Sequence, residues 1–164
     1  NLNADASISG DYAIYADSIG GQSAEPYGFG AGNDFLSVPN PTNNGSATVE
    51  LGDSYNYFGL FWGSVDRYNS ISFYDSNDIL LASVGGADIQ GLLANGNQTS
   101  WESNRFINFF FTDGMSYDSY KMTSNGYAFE TDNHAYGNVA VSEPATVALF
   151  GLGLAALGFA RRKA

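Results

Sequence analysis

Sixteen consecutive residues, Ala145 to Ala160 (ATVALFGLGLAALGFA), carry no charge, and three cations, Arg161-Arg162-Lys163, follow directly. Such a run needs an apolar environment, since each Å² of apolar surface left in water forgoes roughly 25 cal/mol. As a helix it spans roughly 24 Å at about 1.5 Å per residue, just short of a hydrocarbon core of about 30 Å. A basic cluster behind an apolar run marks the cytoplasmic end of a membrane segment. Ala148, Gly151, Ala155 and Gly158 are small residues that let helix backbones approach closely, in a membrane or in an assembly. Ser142-Glu143-Pro144 sets this run apart, because proline fixes its own φ and turns Glu143 away from helical conformation. The expected division is therefore a domain over 1–141 and a tail over 142–164 made of a breaker, a hydrophobic helix and a basic end.

The division also changes the meaning of the net charge. The 164 residues sum to −11, but residues 1–141 hold 16 acidic side chains against three basic ones (Arg67, Arg105, Lys121), a net of −13. Nucleic acid is excluded as a partner, because its binders need a basic stripe to neutralise phosphate. The absence of cysteine excludes a disulfide framework, a thiolate nucleophile and a cysteine zinc site. The chain begins at Asn1, as removal of an N-terminal signal peptide would leave it, and together with the tail this predicts export.

Residues 1–141 read as β structure. Tyr12 to Tyr15 is a short aromatic and β-branched run, and Thr48 to Leu51 alternates. Tyr57 to Trp62 is nearly continuous aromatic and aliphatic sequence, as a strand covered on both faces would be. Ser70 to Tyr74 alternates strictly, Asp75-Ser76-Asn77-Asp78 turns and Ile79 to Val84 returns, which is the clearest hairpin in the chain. Arg105 to Phe111, Gly126 to Asp132 and Ala135 to Val141 complete the predicted strands, the last two joined through Asn133-His134. Residues 20–46 are rich in turn chemistry, with Phe29, Phe35 and Leu36 available to the core, and a short helical turn is expected over 86–93. Some eight short strands separated by turns predict an all-β fold, an antiparallel β-sandwich that is jelly-roll-like, with a C-terminal hydrophobic helix.

Ser142-Glu143-Pro144-Ala145-Thr146, the apolar run through Ala160 and the terminal Arg161-Arg162-Lys163 resemble the PEP-CTERM sorting signal of exosortase-dependent bacterial surface proteins. Ser142 stands where the usual signal has a first proline. The stretches Tyr57 to Asn69, Ser72-Phe73-Tyr74 and Ala128 to Asn133 are also similar to the body of one family of such proteins. The resemblance implies export, a cell-surface or extracellular-matrix location, the membrane as a partner during sorting and an exosortase-type processing enzyme. It implies no particular chemistry.

The candidate sites are few. The only histidine, His134, has no Gly-x-Ser-x-Gly elbow to serve, and Asp132 lies two residues from it, sharing a strand face without facing it. Glu130 and Asp132 share a face at i, i+2, a spacing suited to a solvated strand or one cation rather than to a glycosidase pair. No catalytic residue is predicted and no cofactor is required. Asp66, Asp132 and Asn133 fall at strand ends and are the candidate Ca²⁺ ligands, while Asp75 to Gly86 lacks the EF-hand's sixth-position Gly and twelfth-position Glu. Trp62 reads as core. Trp101, in the polar stretch Thr99 to Asn104, and Tyr68 are the candidate contacts for carbohydrate or a partner. These features predict an exported, non-enzymatic structural protein of the surface, matrix or biofilm. It is expected to self-associate into homo-oligomers or filaments through its hydrophobic helix. The alternative is a lectin-like adhesin for extracellular polysaccharide.

Overall fold

The computed structural model describes residues 6–28, 32–91 and 94–140. The sorting triplet Ser142, Glu143 and Pro144, the small residues Ala148, Gly151, Ala155 and Gly158 and the basic end Arg161, Arg162 and Lys163 lie outside the described residues, and so does the expected C-terminal helix. Among the described residues no helix is long and apolar enough to cross a membrane.

Among the described residues there are ten strands and one short helix. They are β1 (Ser7–Gly10), β2 (Ala13–Tyr15), β3 (Phe35–Val38), β4 (Gly45–Tyr55), β5 (Tyr57–Gly63), β6 (Asn69–Tyr74), β7 (Leu80–Gly85), α1 (Gly86–Gln90), β8 (Arg105–Phe110), β9 (Tyr117–Ser124) and β10 (Phe129–Gly137). Two antiparallel five-stranded sheets result, sheet A in the order β1-β4-β9-β6-β7 and sheet B in the order β2-β3-β10-β5-β8. The pairs β6 with β7, β5 with β8, β4 with β9 and β3 with β10 are nested about the 75–79 turn and alternate between the sheets. One long antiparallel ribbon folded over on itself produces this order, and β1 and β2 add an outer strand to each sheet.

Alternation along the strands sends one face of each sheet inward. Sheet A contributes Ala47, Val49, Ile71, Phe73, Tyr120 and Met122, and sheet B contributes Val38, Phe58, Leu60, Trp62 and Phe129. Phe58 is the hub. Its ring lies 4.5 Å from Tyr120, 5.4 Å from Phe73 and 6.2 Å from Phe109, which are offset and edge-on contacts that aromatic quadrupoles favour. Trp62, fully buried as expected, stacks on Phe129 at 4.2 Å.

Several elements differ from the sequence pattern. β9 has no apolar run (Tyr-Asp-Ser-Tyr-Lys-Met-Thr-Ser), yet it is the central strand of sheet A, because Tyr117, Tyr120 and Met122 reach into the core. β3 lies inside the turn-rich stretch, and β4 runs four residues past Leu51. The two strands expected over 126–132 and 135–141 are one, β10, interrupted by a bulge between Asp132 and Ala135. Asn133 takes φ +51° there, a left-handed conformation that Asn tolerates.

Phe58→Ala should cost about 3–5 kcal/mol, because the void opens among rings that cannot close over it. Urea unfolding of the purified protein checks this; a loss below about 1 kcal/mol would show that the hub is elsewhere.

Candidate functional site

The residues of sheet B that point away from the core at its Gly63 end include Ser37, Phe61, Gly63 and Glu130, and the segment Ala16–Gly28 crosses over them. Ser23 Oγ donates to Ser37 Oγ at 2.8 Å, and the Ala24 N–H donates to Glu130 Oε1 at 2.9 Å. Pro26 covers Gly63, where a Cβ would come within 3.1 Å of the proline ring. The segment is braced internally by the Ile19–Ser23 bridge and by the Glu25 N–H donating to Ser18 Oγ at 2.8 Å.

Asn104, fully buried, ties this segment to its neighbours. Its Oδ1 accepts from the N–H groups of Ser64 (2.9 Å) and Tyr27 (3.2 Å), and its Nδ2 donates to the carbonyls of Asn97 (2.8 Å) and Ser100 (2.9 Å). Three loops are thereby held by one amide.

Between the crossing segment and Gln98-Thr99 runs a groove of two recesses, about 240 Å³ and 550 Å³, which share Ser18, Ala24 and Gln98. Glu130 and Tyr127 line the smaller recess, and Glu25, Pro26 and Tyr27 line the larger. Trp101 stands beside the larger recess, 59 % exposed and edge-on to Tyr27 at 5.2 Å. It lies against Gly28 (φ +90°), where any side chain would overlap the indole.

Tyr68 is held behind this groove. Its Oη lies 2.7 Å from Asp66 Oδ2 and 2.9 Å from the Tyr127 carbonyl. Burial raises the Asp66 carboxyl above its ordinary range, with the Tyr68 hydroxyl opposing the shift. Burial pushes Glu130 to about 8, partly opposed by the Ala24 N–H, with the Asp66 charge adding to the rise. Glu130 is thus 2 % exposed under the crossing segment rather than on the solvated strand face that its spacing suggested.

Asp132 and Asn133 border a different cavity, about 300 Å³, together with Asp34, Tyr12, Ile14 and His134. The His134 Nδ1 lies 2.7 Å from Tyr120 Oη and its Nε2 2.9 Å from Thr131 Oγ1, so neither ring nitrogen faces a carboxylate in the manner of a triad. Burial lowers His134 to about 4, which leaves it neutral and a poor base. Among the described residues, no three His, Asp or Glu side chains gather in a group that could hold a metal ion, and Asp66 is away from the cavity of Asp132 and Asn133.

Sequence reasoning singled out Trp101 but missed Glu25, Gln98 and Asn104. The single usable signal was the density of Asn, Gln and Thr over 95–104, which reads equally as turn chemistry.

Two desolvated groups, the buried Glu130 and the half-buried His134, predict the pH dependence of stability. Glu130 titrates near 4.5 when unfolded and near 8 when folded, so its contribution is full below pH 4.5 and is lost as pH rises to 8. His134 titrates near 6.5 unfolded and near 4 folded, so its contribution is full above pH 6.5 and is lost as pH falls to 4. The opposing slopes, about 1.4 kcal/mol per pH unit each, cancel between the two unfolded values. From these groups stability should be level between pH 4.5 and 6.5 and about 2 kcal/mol lower at pH 8. Urea titrations across this range check it, and Glu130→Gln should abolish the alkaline fall.

A search of curated proteins finds no match to the chain. Among solved structures, the chain is similar to the lectin domain of lectinolysin complexed with Lewis b antigen (11 % identity, 79 % of this chain and 93 % of that one, TM-score 0.47). It is similar also to the family 32 carbohydrate-binding module of Clostridium perfringens NanJ in complex with galactose (14 %, 77 % and 92 %, 0.42). A family 29 carbohydrate-binding module is a further similar structure (10 %, 85 % and 98 %, 0.39). The PEP-CTERM protein-sorting motif matches residues 140–163, and the chain therefore carries that signal for export and surface sorting directly after its β-sandwich.

Proposed function

We propose that this chain is an exported, non-enzymatic cell-surface protein that holds extracellular polysaccharide in the groove beside Trp101. The observation that carries this reading is the exposed indole, edge-on to Tyr27 and beside a groove that carries polar groups, since a pyranose ring needs a flat apolar face together with hydrogen-bonding groups around it. Gln98, Thr99, Ser18 and Glu25 supply those groups.

Placement supports the reading. Val139 is pinned to Asn56 by hydrogen bonds of 2.8 and 2.9 Å, so the chain leaves the sandwich at the Tyr57 end of β5. The groove sits at the Gly63 end, roughly 20 Å away along the strand. A sandwich attached through its C-terminal tail would present the groove outward. The nested strand order described above is that of a jelly roll, whose end loops are free to vary around a rigid frame.

Glycan-array binding tests the proposal. Trp101→Ala should lower affinity for any bound glycan about fivefold or more, given that lost stacking is worth on the order of 1 kcal/mol or above. Unchanged binding would remove the indole from the site.

A second reading, self-association, is favoured by one observation. β8 is an edge strand of sheet B whose Phe106 and Phe110 are 43 % and 58 % exposed, and an open apolar edge invites pairing. Electron microscopy and sedimentation of the full chain, and of a chain lacking 142–164, test it. Filaments or oligomers that vanish with the tail support assembly through the hydrophobic segment, and monomers in both forms overturn it.

A further inference from the structure

The charge of the groove narrows what it can hold. Its described lining includes the acidic residues Glu25 and Glu130 and no basic residue. The body has three basic residues, and none of them lines either recess. Arg105 turns its guanidinium to the Glu102 carbonyl at 2.6 Å, and Lys121 sits on β9 between Thr48 and Ser72. A body of net −13 surrounds this site and concentrates cations near it.

We propose that the groove takes an amino sugar in its free-amine form, with the ammonium group toward Glu25 and the pyranose face against Tyr27 and Trp101. This rests on the carbohydrate reading above and specifies its ligand. An acidic polysaccharide would bring like charge against Glu25. A neutral sugar would screen Glu25 from water without replacing the lost hydration by an opposite charge. An ammonium group makes a charge-assisted hydrogen bond there, about twice as strong as a neutral one. Acetylation of the amine removes that charge while keeping the ring, so the acetylated sugar is the matched control.

Burial places Glu130 in its neutral form below about pH 8, so the charge at neutral pH comes from the Glu25 side of the groove. The groups near Glu130 include the Ser23 hydroxyl and the Ala24 N–H from the crossing segment, and Asp66 and Tyr68 from the stretch after β5.

The test is calorimetry on the full chain in detergent, near pH 6. The probes are a glucosamine tetrasaccharide, its fully N-acetylated form, a glucose tetrasaccharide and a galacturonate tetrasaccharide. The glucosamine oligomer should bind about tenfold more tightly than the acetylated one, the scale of one charge-assisted contact. That preference should shrink as sodium chloride is raised and should be lost in Glu25→Gln. Trp101→Ala should weaken all binding without changing the preference. Equal binding of the acetylated, neutral or acidic oligomer, or a preference that survives both salt and Glu25→Gln, would overturn the amine assignment while leaving the carbohydrate reading in place. No binding of any oligomer would overturn both. The salt series on the unaltered chain keeps the result independent of how the variants fold.

Discussion

The packing of Phe58 in sheet B against Tyr120 and Phe73 in sheet A joins the two sheets, and Phe109, beside Phe58 on β8, meets Phe73 as well. There is no cysteine to cross-link the layers. The strands are short, so cohesion must come from the rings that their inner faces bury between the sheets. Large rings serve well there, because each removes much apolar surface from water while freezing few torsions. The nested ribbon order follows from the same need, since it brings β5 and β10 of sheet B over β6 and β9 of sheet A and stacks their aromatic positions in one layer.

The groove depends on this frame in a definite way. Sheet B buries one face in the core, and its other face, at the Gly63 end, carries the crossing segment on a few directed contacts. Asn104 satisfies four backbone groups from three loops, and Glu130 accepts from the segment itself. A buried carboxyl is an expensive way to hold a loop, as its raised proton affinity records. It also makes the site sensitive to pH on the alkaline side, while His134, wedged between Tyr120 and Thr131, sets the acidic side.

Much of the fold was legible because apolar patterning is a local property. The strands at 57–63, 69–74, 80–85 and 105–110 could be read from alternation or from continuous aromatic sequence, and the helical turn after Gly85 was visible too. β9 could not be read, because a strand of Tyr, Ser, Lys and Thr becomes central only when its neighbours bury it. The continuity of β10 was hidden by Asn133-His134, residues that signal a turn but here form a bulge within one strand. The exposure of Trp101 and the burial of Trp62 were both readable from their surroundings. The burial of Glu130 was not, since the residues that cover it lie more than 100 positions away.

By itself the sequence determined that this is an acidic all-β body joined to an uncharged tail with a basic end, and that the tail carries a sorting signal. Composition, spacing and charge are written along the chain, and their consequences for solvation do not wait for folding. Only the tertiary structure decided that Tyr27, Gln98 and Glu25 line one groove with Trp101 beside it, that Asp66 stands apart from the Asp132 and Asn133 cavity, and that the groove and Val139 lie at opposite ends of β5. Those are distances between residues far apart in sequence, and they are set by how two sheets must pack to bury their rings.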